Sequence, residues 1–337
     1  MTNPYISVVV MAYNRKKFIR KALLSVLAQT ISKSIYEIIV IKGFKDKKID
    51  NFIKKNQIKS IYNPDKREGA RLANAYKYIR GEIIAFLDDD DEFVSNKLDV
   101  VYKYFKENSD IVFYHNLYCK INADDAIIDE HTLEGSEPKS LLINNEDKIK
   151  YINIARRDFL VQENASSMVI RKKLLEHNLQ KLKKIGISLD AFVFLISLLD
   201  TGKILVDNEV LTRYRVHIQG QVTNGPISSV RKFWLHRSKY TREAYNEALV
   251  LYNMAKNTKF ENMARVNLSE TKLYCSIYNG GYLPSIYDYF SFLIARHSKG
   301  SLSLTLQSIA AQLFRTRVIK LIYKHYFGER MQANPNP

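Results

Sequence analysis

The segment Gly81–Phe93, GEIIAFLDDDDEF, runs an apolar stretch of strand length into four consecutive aspartates, Asp88 to Asp91. Four ionised carboxylates within a few residues repel one another by roughly 1 kcal/mol per close pair even in a water-like dielectric. The chain must bring positive charge to this point or aim the carboxylates in different directions. Upstream, ISVVVMAY (Ile6–Tyr13) is a continuous apolar run, and KKFIRKALLSVLAQT places Phe18, Ala22, Leu23, Val26 and Leu27 at helical spacing. Strand YEIIVIK, helix DKKIDNFIKKN, short strand IKSIYN and helix GARLANAYKYIR follow, and helix NKLDVVYKYFKEN comes after the aspartates. Strands that are apolar throughout and alternate with helices predict an α/β domain, with a mostly parallel sheet covered by helices on both faces. Ligands of such sheets bind beyond the carboxyl ends of the strands, so the aspartates belong to the ligand edge.

From about Asn116 to Asn164 the pattern loosens into polar, acidic loop with one helix, EDKIKYINIARRDF. Regular structure resumes with SSMVIRKKLLEHN, a helix LDAFVFLISLLDTG, and two strands, KILVD and VLTRYRVH. The stretch QGQVTNGPISS, Gln219–Ser229, reads as a linker, and the chain is helical beyond it. Two domains are expected: an α/β domain over 1–225 and an all-helical domain over 226–337.

With 46% hydrophobic and 12% aromatic residues in 337, the chain can bury a real core and is not a disordered one. Its two cysteines, Cys119 and Cys275, build no disulfide framework and no zinc spacing. The opening apolar run is too short for a signal peptide, and AFVFLISLL and SLSLTLQSIAAQLF fall short of the roughly 20 residues that cross a bilayer. The expected location is cytoplasmic, with peripheral attachment to the cytoplasmic face of a membrane as the further option. The net charge is +17. Sixteen Lys and Arg stand against six Asp and Glu from Pro226 to Pro337, a surplus of ten that leaves seven for residues 1–225. A basic C-terminal third implies an anionic partner or a solvated face.

Taken in order, AYNR closing the first strand, ALLSVLAQT, YEIIVIK, GARLAN, GEIIAFLDDDDEF, the LD that opens an apolar helix and YRVH closing a strand resemble the inverting family 2 nucleotide-sugar glycosyltransferases of the GT-A, Rossmann-like fold. The resemblance covers residues 4 to about 219. It implies transfer of a hexose from a UDP- or GDP-sugar to a hydroxyl of a glycan or lipid-linked oligosaccharide acceptor, with Mg or Mn on the diphosphate. By that resemblance Asp88 lies near the ribose or uracil and Asp90 ligates the metal. Asp89 takes the variable position beside the nucleotide, and Asp91 caps amides of the following loop. Ala12, Tyr13 and Asn14 would cradle the base, and Arg71 would meet a phosphate or the ribose. Asp190 takes the place of the general base, with Leu189 where a glutamate is common. His217 corresponds to a residue that reaches the metal or diphosphate. Arg213 and Arg215 alternate along the same strand, and Asn164 and Ser166 belong to a segment lining the acceptor and diphosphate side.

One departure concerns the donor. Many relatives end the second strand in Asp-Asp-Gly-Ser, whose first aspartate holds the base; this chain has Lys42-Gly43 there. A lysine cannot accept from the imide of uracil. Either Asp46 or Asp65 supplies the carboxylate, or the donor is not a UDP-sugar. Transfer to polyprenyl phosphate is an alternative of the same class, and a non-catalytic sugar- or nucleic-acid-binding protein an alternative of another. No nucleic-acid motif is present, and the aspartates would repel phosphates unless a cation intervened.

The last helix sets Leu302, Leu306, Ile309, Leu313, Val318, Leu321 and Ile322 against Arg315, Arg317, Lys320 and Lys324, with Tyr323, Tyr326 and Phe327 nearby. Two readings stay open: a basic amphipathic element on an anionic membrane surface, or an apolar stripe packed on the catalytic domain.

Overall fold

The computed structural model describes residues 3–129, 140–158, 160–216, 229–296 and 299–333. The chain divides into two compact units, Met1–His217 and Ile218–Pro337. The boundary expected at 225/226 and nearly all of the Gln219–Ser229 linker lie outside the described residues.

The first unit opens with β1 (Ile6–Ala12), α1 (Ile19–Leu27), β2 (Tyr36–Lys42), α2 (Lys47–Lys55), β3 (Lys59–Tyr62), α3 (Glu68–Ala75) and β4 (Ile83–Asp88). Every residue of β1 is buried, because the sheet carries helices on both faces and neither side of the strand meets water. After the short β5 (Glu92–Phe93) come α4 (Lys97–Glu107), β6 (Ile111–Ile121), β7 (Ile127–Asp129), β8 (Leu141–Ile143) and α5 (Lys148–Asp158). The unit finishes with β9 (Met168–Arg171), α6 (Lys173–Glu176), α7 (Leu179–Leu182), α8 (Leu189–Leu199) and β10 (Lys203–Arg215). The sheet order is β3-β2-β1-β4-β9-β6-β10-β5, with β7 on β6 and β8 on β10. Strands β3, β2, β1 and β4 run parallel, and β9 enters antiparallel between β4 and β6. This is the GT-A-type architecture expected from the sequence.

Strand β6 continues past Asn116, where the sequence pattern loosens, to Ile121 inside the sheet. Its polar side chains are satisfied by distant partners. The Tyr114 hydroxyl donates to Asp207 (2.7 Å), Asn116 Nδ2 to Thr212 Oγ1 (2.9 Å), and His115 Nε2 lies 3.1 Å from the Glu163 carbonyl. The two strands expected after α8 form one, β10, whose register against β6 shifts between Asp207 and Val210. Asn208 and Glu209 interrupt the apolar pattern at an irregularity in the ladder rather than at a turn.

Chain order places the ligand edge. After β1 the chain moves outward to β2 and β3, then returns to the other side of β1 as β4. Ala12 sits opposite Lys42 and Met11 opposite Asp88, so the exits of β1 and β4 flank the crevice where the strand order reverses.

The second unit consists of α9 (Val230–Ala255), α10 (Glu261–Tyr278), α11 (Ile286–Arg296) and α12 (Lys299–Ala333), the last broken at Phe314. Its core gathers Phe233, Leu273, Ile277, Phe292, Leu304, Ala311, Ile319 and neighbours. Asn279, just past α10, ties it to α9 by donating to the Ser238 carbonyl and Thr241 Oγ1 (both 3.2 Å).

Candidate active site

The four aspartates point apart, as their mutual repulsion requires. Asp91 turns into the domain: its Oδ2 accepts from Ser166 Oγ (2.7 Å) and its Oδ1 from the Arg215 amide (2.8 Å). The amide it binds therefore belongs to β10 and not to the following loop. Asp89 and Asp90 face Arg15, whose Nη2 lies 2.7 Å from Asp89 Oδ1 and whose Nη1 donates to Asp90 Oδ2. The Asp89 contact lacks hydrogen-bond alignment, so both of its buried oxygens remain without a hydrogen bond. Asp88 keeps some exposure at the edge.

Positive charge is short here. Burial raises Asp88 to about 6, helped by Asp90 and opposed by Arg15 and Arg71. Burial raises Asp89 to about 8 even with Arg15 working against it. Desolvation opposes the Arg15 cation as well, but the four aspartates outweigh it and hold the guanidinium charged.

Asp190 lies in the first turn of α8, at the helix end whose dipole favours a carboxylate, and its Oδ1 accepts from the Ala191 amide (2.7 Å). Desolvation lifts it to about 7 against that bond, with Asp88 and Glu163 adding to the rise. Residues 102 apart in sequence thus act on each other at one edge of the sheet. The opposite end of α8 is anchored by buried Lys148, whose ammonium donates to the carbonyls of Ser197 (3.1 Å) and Asp200 (2.5 Å). Glu68, in the first turn of α3, is raised to about 8 by burial and by Asp88 and Asp190. Gly69 permits this arrangement. Its amide donates to the Ile185 carbonyl (2.9 Å), and a Cβ there would lie 2.1 Å from the Leu182 carbonyl oxygen, so no side chain fits.

The Tyr13 ring is held between two groups. The Arg71 guanidinium lies 4.9 Å from its centroid, and Gly43 approaches so closely that a Cβ would stand 2.6 Å from Tyr13 Cδ2. Arg71 is buried, donates to the Asp65 carbonyl (3.1 Å), and its Nε has no hydrogen-bond partner. Ala12 is buried with its carbonyl on the Gly43 amide (2.9 Å), whereas Asn14 is exposed.

Several expected contacts are otherwise employed. Ser166 is fully buried, bridging the Asp88 amide (3.0 Å) and Asp91, and is a fastener of the aspartate turn. Asn164, at φ 60°, spends its side chain on the Ser166 amide (3.1 Å) and Ser167 Oγ (3.3 Å). The Arg215 guanidinium is buried against Glu92, Asp125 and the carbonyls of Asp90 and Asn122, leaving nothing for a diphosphate. Arg213 lines a surface cleft with Lys21, Leu24 and Glu92. Asp89, expected beside the nucleotide, is 1% exposed and faces Arg15. His217 lies outside the described residues. Lys42 is buried on Asp50 (2.8 Å) and the Phe44 carbonyl (2.9 Å). Asp46 caps α2, and Asp65 is paired with Arg67 (2.9 Å).

Four side chains of the site escaped the sequence reading as site residues. Arg15 was visible in AYNR and Glu68 precedes the Gly69 that was noted, so adjacency could have found both. Tyr214 is the residue between Arg213 and Arg215; burial and then Asp91, Asp90 and Asp88 push its phenol to about 12. Lys97 gave no signal, since it opens a helix where lysines are common. It is fully buried under the aspartate turn, donating to the Ser166 carbonyl (2.5 Å) and Thr212 Oγ1 (2.9 Å), and desolvation holds its pKa well below the usual lysine range. Lys97→Ala should cost about 3 kcal/mol by chemical denaturation, because it leaves a cavity and takes the ammonium donor from the Ser166 carbonyl and Thr212 Oγ1, which keep only each other and Asn116 as partners.

Residues 7–177, just over half of the chain, match the model of glycosyl transferase family 2. The chain belongs to that family, and its first unit is a glycosyltransferase domain. An uncharacterized glycosyltransferase of Methanocaldococcus jannaschii is 27% identical over 226 residues, 64% of this chain and 72% of that one. An uncharacterized glycosyltransferase of Rickettsia conorii is 35% identical over 130 residues, 35% of this chain but only 20% of that one. Several relatives are thus much longer than the stretch they share with this chain. In fold the chain is similar to S. aureus TarS 1-349 in complex with UDP-GlcNAc, with a TM-score of 0.54 at 13% identity over 96% of this chain and 92% of that one.

Proposed function

We propose that this protein transfers a hexose from a nucleoside-diphosphate sugar to a hydroxyl of a glycan acceptor, lipid-linked, with inversion at the anomeric carbon. The observation that carries the reading is the aspartate run that ends β4 at the switch point of a family 2 domain, with Asp190 near enough for its charge and that of Asp88 to oppose each other. The fold likeness to a protein in complex with UDP-GlcNAc supports a nucleotide-sugar donor.

The Tyr13 ring, backed by Arg71 and Gly43, offers a flat surface for the base, and Asp88, partly exposed at the end of β4, would meet the ribose. The Asp190 carboxylate takes the proton of the acceptor hydroxyl as its oxygen attacks the anomeric carbon. The new carbon–oxygen bond forms on the face opposite the leaving group, and the bond to the nucleoside diphosphate breaks with its electron pair remaining on phosphate. Asp190, raised toward neutrality, is a better base than an ordinary aspartate. The described oxygen donors suit Mg or Mn, since Asp88 and Asp90 are hard ligands in a cluster with excess negative charge. Among the described residues no three acidic, His or Cys side chains form a ready cage, so Asp88 and Asp90 would hold the ion only with ligands from elsewhere. His217 is a further candidate ligand. When bound, the ion would neutralise the charge that builds on the departing diphosphate.

Arg15 competes for the same carboxylates, so its pairing with Asp90 is expected to loosen when donor and metal enter together. Thermal unfolding with UDP-, GDP- and dTDP-sugars, with and without Mn, tests the reading. Donor present at 100 times its Kd should add about 2.7 kcal/mol of stability. If no nucleotide sugar raises Tm even with Mn, the donor assignment fails although the fold stands.

A further inference from the structure

The second unit carries an apolar surface for which the transfer site has no use. Of α12, Leu304, Ala311, Val318, Ile319 and Ile322 enter the core. Leu302, Leu306, Ile309 and Leu313 lie outside it, 48–78% exposed. Their spacing of i, i+4, i+7 and i+11 puts them on one face of the helix. Beyond the break at Phe314, the second half of α12 exposes Arg317, Lys320 and Lys324, with Leu321 among them. α11 packs on α12, with Phe292 and Leu304 in one core and the Tyr289 hydroxyl 3.2 Å from Ser308 Oγ. It shows its own row, Ile286, Phe290 and Ile294, at 60–76% exposure.

Monomeric proteins rarely leave so many large aliphatic side chains together in water. Among the described residues no helix is long and apolar enough to cross a membrane, so the face can lie on a bilayer but these helices do not span one. Charge selects the occupant. Residues 299–328 contain Lys299, Arg315, Arg317, Lys320 and Lys324 and no acidic residue. A second copy would bring like charge toward like charge, whereas lipid phosphates match an exposed apolar row on a helix whose exposed charges are cationic.

We propose that this face of α11 and α12 docks on an anionic lipid bilayer, with the aliphatic row at the headgroup–acyl boundary and Arg317, Lys320 and Lys324 on the lipid phosphates. It names the surface on which the lipid-linked acceptor would be met, and rests on the proposed function only for that purpose. Vesicle binding is measured without donor or acceptor, so the two proposals fail separately.

The test is flotation of the full chain with phosphatidylcholine vesicles, with and without phosphatidylglycerol. Binding is expected only to the acidic vesicles and should weaken as salt rises. The triple variant R317Q/K320Q/K324Q should lose about fivefold per cation removed. The double variant L306E/L313E should bind at least tenfold more weakly, with Tm unchanged because both positions are exposed. If the double variant does not fold, the Gln variant and the salt dependence decide. Failure to float with acidic vesicles overturns the proposal. So does undiminished binding by both variants, or a wild-type dimer that L306E/L313E converts to monomer without any affinity for lipid.

Discussion

Asp190→Asn is expected to lower kcat for sugar transfer by about 10³-fold or more while donor binding, read by the Mn-dependent Tm shift, stays intact. Asparagine keeps the acceptor for the Ala191 amide and removes only the basic carboxylate, so the substitution separates proton transfer from architecture. The pH dependence provides a second readout. With Asp190 raised to about 7, wild-type activity should climb between about pH 6 and 8 as the carboxylate loses its proton. The stability sign is opposite. A group whose folded pKa lies above its ordinary value contributes stability below that ordinary value and loses it as pH rises through the folded one. Asp190 therefore costs stability above about pH 7, and Asp190→Asn should unfold no lower than wild type at pH 8. A clear drop in its Tm there would show that the carboxylate is a structural cap and not a base held ready.

Asp90→Ala is expected to abolish transfer and, unlike Asp190→Asn, to remove the Mn-dependent part of the donor-induced Tm shift. The change takes away a proposed oxygen ligand and one partner of Arg15 together. The buried fastening of the turn by Asp91, Ser166 and Arg215 is left in place, so the fold should persist. Asp89→Ser is not expected to be silent, although a variable motif position suggests it. Asp89 is buried beside Arg15, and losing it leaves that guanidinium with Asp90 as its remaining close carboxylate partner. A reduced donor affinity with the Mn response retained would distinguish it from Asp90→Ala. Equal and complete losses at both positions would mean that the metal ligands are wrongly assigned within the aspartate run.

The three aspartate substitutions bear on residues whose types were legible but whose directions were not. Strands β1, β2 and β4 announce themselves, since a parallel strand covered on both sides needs an unbroken apolar run and ISVVVMA, YEIIVIK and IIAFL supply it. Helix α8 and its Asp190 were equally plain, as was the helical character of everything after the linker. Strand β6 was not, because Tyr114, His115 and Asn116 look like loop until Asp207, Glu163 and Thr212 arrive from elsewhere to satisfy them. Nor could the sequence show that Arg215 and Ser166 are held by partners inside the domain. A polar residue near a site reads as a ligand contact, and only long-range packing shows that its hydrogen bonds are already spent.

Sequence alone therefore determined the alternation of strand and helix, the edge at which the aspartates end a strand, and the carboxylate that opens α8. These rest on local periodicity, which is written along the chain. Tertiary structure decided the rest. It aimed the four aspartates apart, set Arg15 against two of them, hid Lys97 beneath the turn and left Leu302, Leu306, Ile309 and Leu313 outside the core. Those outcomes depend on which distant group reaches a side chain first and on how much water remains around it, and no single stretch of sequence records either.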